Sequence, residues 1–169
     1  MKKSFLAAVL ACMFSGCLTD STWTSNVPQK MRTVAVPTFR NQSDVTEFGA
    51  VASKQLLREF QREGTFSIRR VGDAAIEVQG TIESCDARAE SYDGRGGLRS
   101  ASYRMGAKAV VSVIDKVNGK VLVDNRAYTA TVTFAGGAHD ILSNKRDASR
   151  RLADELSRQI VDDVLALKW

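Results

Sequence analysis

The chain reads YRMGAKAVVSVIDKVNGKVLVDNRAYTATVTF from Tyr103 to Phe134, and this stretch decides the fold. Tyr103, Met105, Ala107, Ala109, Val111 and Val113 occupy every second position. Side chains along a strand point alternately to its two sides, so a period of two describes a long strand with one apolar face. Asn118-Gly119 follows, a pair that tolerates the positive φ angles of a tight turn. A second run then extends from Val121 to Phe134. The segment is a hairpin, and the slip in its second arm between Asp124 and Ala127 predicts a bulge.

Toward the N-terminus, Ile76, Val78, Gly80 and Ile82 alternate with Glu77, Gln79, Thr81 and Glu83. That is a strand of a sheet covered on one side only. Phe66, Ile68 and Arg70 form a shorter strand before a turn at Gly72-Asp73. Phe48, Val51, Ala52, Gln55, Leu56 and Phe60 recur at helical spacing. Asp44 and Glu47 have the spacing of a capping box at the start of this helix, and Gly64 supplies its stop. Arg32–Phe39 reads as a first strand, β-branched at Val34 and Val36, in which Pro37 implies an edge or a bulge.

Downstream, Leu152, Leu156, Ile160, Val164 and Leu167 line a last helix. Arg150/Asp154, Asp154/Arg158 and Arg158/Asp162 stand four apart on its outer face. Asp86–Ser100 and Gly136–Asn144 are polar and glycine-bearing, and read as loops. The expected architecture is α+β: a two-layer sandwich of a mostly antiparallel four- to five-stranded sheet with two amphipathic helices on one face.

The first residues follow a different logic. Met1-Lys2-Lys3 precedes an apolar run from Phe5 to Phe14, and Ser15-Gly16-Cys17 closes it, the layout of a secretory signal. The run is well short of the ~20 residues a spanning helix needs. Phe14-Ser15-Gly16-Cys17 resembles the bacterial lipobox, so the expected organisation is a signal peptide at 1–16, a lipidated tether at 17–30 beginning with an acylated Cys17, and a domain at 31–169. Cys12 ends a second, less suitable lipobox, and an ordinary secretory signal is the remaining alternative. Leu18, rather than aspartate, after the lipidated cysteine favours the outer membrane. Several acyl chains hold a protein to a bilayer stably where one does so only reversibly.

Loss of Lys2 and Lys3 lowers the formal charge from +5 to +3. This is too small to argue for a nucleic-acid partner. With Cys12 removed and Cys17 lipidated, Cys85 stands alone, and the domain relies on its apolar core rather than on a disulfide. Cys85 itself reads as a half-buried small residue.

The residues offer little chemistry. His139 is the only histidine, and its neighbour Asp140 points away from it in most conformations, so the pair is no triad. No cysteine or histidine spacing suits a metal, and Gly94–Gly97 lacks the lysine of a phosphate-binding loop. The expectation is a protein that is not an enzyme and needs no cofactor. What stands out is the placement of charge. Arg88, Arg95, Arg99 and Arg104 flank one glycine-rich loop, and Lys145, Arg146, Arg150 and Arg151 flank the other. Because Tyr103 falls opposite the far end of the hairpin's second arm, the two clusters are expected at one end of the domain. They are either a basic tip suited to phosphates or solvated loop charges.

Val34-Ala35-Val36-Pro37-Thr38-Phe39 with Asn41, Leu57-Arg58-Glu59-Phe60, Gln79-Gly80-Thr81-Ile82, Tyr103-Arg104-Met105 and Asn118-Gly119-Lys120-Val121-Leu122, in that order, resemble the LptE family of lipopolysaccharide-assembly lipoproteins. The resemblance implies a non-enzymatic partner of the outer-membrane barrel LptD, which plugs the barrel, assists its assembly and binds lipopolysaccharide. It implies lipopolysaccharide contacts through a basic residue before the tyrosine-bearing strand, Arg95 or Arg99, and another before the last helix, at Lys145 with Arg146 adjacent. Val34–Phe39 also resembles lipoproteins that activate cell-wall synthases or form secretion assemblies.

Overall fold

A computed structural model describes residues 26–92, 100–136 and 141–169. The signal segment, Cys17, the Gly94–Gly97 turn with Arg95 and Arg99, and the His139-Asp140 pair lie outside the described residues. The elements run β1 (Thr33–Ala35), β2 (Arg40–Asn41), α1 (Phe48–Glu63), β3 (Ser67–Ile68), β4 (Ile76–Tyr92), β5 (Ser100–Asp115), β6 (Lys120–Ala135) and α2 (Ile141–Leu165). The α+β sandwich expected from the sequence is what forms, with both helices on one face.

The sheet has six strands in the order β3-β1-β4-β5-β6, with β2 also paired to β4. It is mostly antiparallel, as expected, but mixed, because the short strands pair in parallel. β1 runs parallel to both β3 and β4, with Val34 opposite Ile68 on one side and Ile76 on the other, and β2 is parallel to β4 at Arg40↔Thr81. Strands of two or three residues are too short to show alternation, and their direction is fixed by the crossover through α1. Pro37 lies in the gap between β1 and β2, where its missing N–H costs no ladder bond. The first strand is thus broken rather than placed at an edge.

β4, β5 and β6 form the long antiparallel meander. β4 extends through Asp86–Tyr92, a stretch whose polar composition reads as loop. Pairing with β5, at Ala87↔Met105 and Arg88↔Arg104, satisfies its backbone, so exposed polar side chains are no obstacle to strand. The expected bulge in β6 falls at Asn125: Val111 faces Arg126 and Val113 faces Val123, leaving one extra residue on β6. Asn125 takes it up at φ +44°, a region asparagine tolerates. Its N–H donates to Ser112 Oγ at 3.0 Å.

The core lies between the sheet's inner face and the two helices. Ile76, Val78, Ile82, Met105, Ala109, Val111 and Val113 from the sheet are essentially inaccessible, as are Leu56, Phe60, Leu152, Leu156, Ile160 and Val164 from the helices. Val27 and Met31 join this core ahead of β1. Gly64 ends α1 in the left-handed conformation at φ +86°, its N–H bonding the Phe60 carbonyl at 3.2 Å. The start of α1 differs from expectation. Its cap position is Glu47, no side chain caps it, and Asp44 takes no part. The preceding loop is organised by Asn41 instead: Nδ2 donates to the Val45 and Thr46 carbonyls at 2.8 and 3.0 Å, and Oδ1 accepts from the Ser43 N–H at 3.1 Å and hydroxyl at 2.7 Å.

α2 begins at Ile141, so residues 141–144 are helical rather than loop. Asn144 Nδ2 donates to the Ala135 carbonyl at 3.1 Å, Arg151 Nη2 to that of Thr133 at 3.2 Å, and Gln159 Nε2 to that of Thr129 at 3.2 Å. These bonds cover the outward carbonyls of edge strand β6 and blunt it against further pairing. Tyr128 Oη donates to Asp163 at 2.7 Å, and Arg126 pairs with the same carboxylate at 3.0 Å, fastening the strand to the helix. On the exposed side of α2 only Asp154/Arg158 of the three expected four-apart pairs forms; Arg150 pairs with Asp147.

Candidate functional site

The long sheet defines two ends. The hairpin end holds Asp115–Lys120; the far end holds the start of β5 and the junction of β6 with α2. Register confirms that the two basic clusters share the far end: Tyr103 faces Phe134, and the rings stack with centroids 5.4 Å apart. Arg104 faces Thr133, whose carbonyl Arg151 holds.

The described members of the two clusters do not merge into one tip. Met105 is fully buried on the inner face, so Arg104 and its cross-strand neighbour Arg88 project from the outer face. There each is matched by a carboxylate of β4. Arg88 Nε meets Asp86 at 2.9 Å, and Arg104 pairs with Glu90, whose other oxygen accepts from Thr133 Oγ1 at 3.2 Å. Lys145, Arg146 and Arg150 stand on the helix side of the sheet. They border a cleft of about 400 Å³ between the starts of the two helices, together with Val45, Glu47, Phe48, Val51 and Ser149. Lys145 and Arg146 make no ion pair among the described residues.

Local packing sets the cleft's depth. Ala148 and Leu152 turn inward and fix the face of α2, which sends Arg146 and Arg150 away from the sheet, while Lys145 is exposed one turn ahead of Ala148 on the same stripe. Ser149 Oγ bonds back to the Lys145 carbonyl at 2.9 Å and touches Met105 Sδ at 3.9 Å, seating this turn on the sheet. Opposite, the Asn41-organised loop presents Val45 as a half-buried wall, continued by Val51. Leu142, in the first turn of α2, is 72% exposed. The arrangement is cationic at its rim and apolar on its floor, which suits an amphiphile with anionic groups beside acyl chains.

Catalytic alternatives find no support nearby. Cys85 is buried rather than half-buried, and burial pushes its thiol up to about 11, helped by Asp86 and opposed by Lys145. A thiol held protonated is a poor nucleophile. Among the described residues no cluster of histidine, cysteine or carboxylate side chains is placed to hold a metal.

A family model for LptE, lipopolysaccharide assembly, matches residues 31–164. The chain belongs to the LptE family. LptE proteins are non-enzymatic outer-membrane lipoproteins of lipopolysaccharide assembly. No curated protein matches the chain in sequence. Solved structures share its fold at low identity. A minor lipoprotein from Acinetobacter baumannii has a TM-score of 0.52 and 12% identity, over 81% of this chain and 96% of that one. The hypothetical protein CT253 from Chlamydia trachomatis gives 0.52 and 13%, over 79% and 95%. A protein from Xanthomonas campestris gives 0.51 and 11%, over 82% and 88%.

Two of the motifs that carry the LptE resemblance, the segment ending at Phe39 and Gln79-Gly80-Thr81-Ile82, meet in space. A Cβ at Gly80 would lie 2.5–2.7 Å from the ring of Phe39, so glycine makes room for that ring in the core. Phe39 N–H donates to Ser53 Oγ at 2.7 Å, tying the same segment to α1. These residues build the scaffold rather than the cleft. Of the four anticipated ligand contacts, the structure places Lys145 and Arg146 at the cleft, on a helix rather than in a loop; Arg95 and Arg99 lie outside the described residues. Val45 and Val51 were not anticipated, because their role comes from packing against α2, which local patterns do not encode. No helix among the described residues is long and apolar enough to cross a membrane.

Proposed function

We propose that this chain is the lipid-anchored partner of an LptD-type outer-membrane β-barrel, and that it binds lipopolysaccharide at the cleft between the starts of α1 and α2. The observation that carries this reading is the cleft itself. Lys145 and Arg146, without ion-pair partners among the described residues, stand with Arg150 over Val45, Phe48 and Val51. Lipid A offers the complement, phosphates beside acyl chains. Guanidinium groups pair phosphate oxygens through parallel hydrogen bonds. Arg95 and Arg99 are assigned to the same ligand from the neighbouring loop. The sheet's outer face, dressed with Gln79, Glu83, Lys108, Ser112 and Thr131, suits the polar interior of a large barrel. Acylation of Cys17 would hold the domain at the periplasmic face of the outer membrane.

Cross-linking in intact cells followed by isolation of the outer membrane tests the partnership. The chain should be recovered on a β-barrel, and its depletion should lower surface lipopolysaccharide. Recovery on a peptidoglycan synthase instead would overturn the reading. For the ligand, replacement of Lys145, Arg146, Arg95 and Arg99 by glutamate should weaken lipopolysaccharide binding by tenfold or more, while the thermal transition stays in place. Unchanged binding would reduce these side chains to solvated charges.

A further inference from the structure

The hairpin end carries a second basic surface that lipopolysaccharide binding at the far end does not use. Lys30, Lys120 and Lys168 come from three separate parts of the sequence, yet they border one recess with Pro28, Met31, Leu122 and Trp169. All three lysines are exposed and make no ion pair among the described residues. The recess is lined by one acidic side chain, Asp115, and it is turned inward. Only 4% exposed, it accepts from the backbone N–H groups of Val117 and Asn118 at 2.8 and 3.0 Å and from Asn118 Nδ2 at 2.6 Å. Nearby Lys116 is matched by Glu77 at 3.6 Å.

Apolar groups are exposed beside these lysines. Val117 and Val121, on either side of the Asn118-Gly119 turn, are 55% and 51% exposed. Trp169 packs one side of its ring towards Phe66, with centroids 6.2 Å apart, and borders the recess. Lysines around an aromatic ring and exposed aliphatic side chains are the composition that settles at a lipid headgroup layer.

The position of the N-terminal segment says which partner is at hand. The described chain begins at Asn26, and Val27 is already buried beside Pro28 and Lys30. From Cys17 to Asn26 the chain can span at most roughly 32 Å. A lipid on Cys17 would therefore hold this end within about that distance of the bilayer. We infer that the hairpin end docks on the membrane that holds the lipid, with Lys30, Lys120 and Lys168 on the phosphates of anionic phospholipids and Val117 and Val121 dipping among the headgroups. The inference rests on the anchored reading for its geometry. Docking in this pose holds the cleft away from the headgroups by the run of α2 from Arg150 to Leu165, roughly 22 Å at 1.5 Å per residue.

The test uses the chain from residue 17 onward with Cys17→Ser, which removes the lipid and retains every core residue, and with Trp23→Phe, which leaves Trp169 as the sole indole. Vesicles of phosphatidylethanolamine with 30% phosphatidylglycerol are compared with vesicles of phosphatidylcholine alone. The protein should sediment with the anionic vesicles only, and brominated acyl chains in them should quench Trp169. K30Q/K120Q/K168Q should lower the partition coefficient by about 100-fold, each lysine near an anionic surface contributing about a factor of five. Equal binding to both vesicle types, binding to neither, or an unaltered partition of the triple variant would overturn the inference. Because this protein carries no acyl chain, the result is independent of Cys17 lipidation, which mass spectrometry of the cell-derived protein decides separately.

Discussion

The two ends of the sheet hold their positive charges in different ways. On the outer face of the far end, Arg88 and Arg104 sit beside carboxylates of β4 and are matched by them. On the helix side of that end, Lys145 and Arg146 make no ion pair among the described residues, although Glu47 borders the same cleft. At the hairpin end one buried carboxylate, Asp115, is bonded to turn amides with Lys30 nearby, and none of the three lysines makes an ion pair among the described residues. The lesson is that the placement of carboxylates, more than the number of cations, decides which basic surface an outside anion can reach. A sequence count of arginines sees four at the far-end loop; the paired strand removes two of them from contention.

The sharpest way to break this contrast is at Asp115. Asp115→Ala strips the hairpin turn of three hydrogen bonds to an ionised acceptor and should cost about 3 kcal/mol in urea unfolding. Lys145→Ala and Arg146→Ala, which touch no such network, should stay within about 0.5 kcal/mol. The pH dependence follows from sign. Burial works to raise the Asp115 carboxyl, but hydrogen bonds from the Asn118 side chain and the Asn118 and Val117 N–H groups, with Lys30 nearby, outweigh it and hold it below its ordinary 3.8. A depressed pKa stabilises fully above the unfolded value and is lost as pH falls through the folded one. The gap between parent and Asp115→Ala should therefore be constant from pH 7 to about 5 and narrow below about 4. A gap that persists unchanged to pH 2 would mean that the carboxylate is not the turn's organiser.

The far end has a neutral counterpart in Asn41, whose amide serves four polar groups of the loop before α1. Its loss should cost less than that of an ionised hub, about 1–2 kcal/mol for Asn41→Ala. The effect should also reach function, because the same loop sets Val45 as a wall of the cleft. Lipopolysaccharide affinity is expected to fall a few-fold in a variant that remains folded. Lower stability with unchanged affinity would detach that wall from the ligand.

Much of this architecture was legible because long strands and helices repeat their period many times. Val111, Val113 and Met105 on one face, Leu152, Leu156 and Ile160 on another, and the slip at Asn125 all showed themselves locally. What escaped has a common cause. β1, β2 and β3 have two or three residues each, so no period accumulates, and their parallel pairing depends on the path of α1. Asp86–Tyr92 is strand through its partner rather than its composition. Asp44 and Glu47 satisfied a capping pattern, yet no side chain caps α1, and Asn41 orders the loop through the Val45 and Thr46 carbonyls and the Ser43 N–H. The cleft was half visible: its cations stood out as a charge cluster, while Val45 and Val51 acquired their role only when α1 and α2 packed side by side.

The smallest expected effect is also the most discriminating. Arg88 and Arg104 expose 85% and 62% of their side chains, and ion pairs in such settings contribute a few tenths of a kcal/mol at most. Arg88→Ala with Arg104→Ala should therefore shift unfolding by less than about 0.5 kcal/mol, and lipopolysaccharide affinity should stay within twofold of the parent. The substitution frees Asp86 and Glu90 on the outer face, so any long-range electrostatic effect on a ligand there would be a penalty, and one that salt suppresses. A tenfold loss of affinity at moderate salt would show that the outer face binds the ligand directly, and the distinction between matched and unmatched cations would fail. Near-parental affinity alongside a strong loss in the Lys145/Arg146 variant would locate the ligand on the helix side, since the two pairs lie at one end of the domain and differ in face and in whether an ion pair holds them.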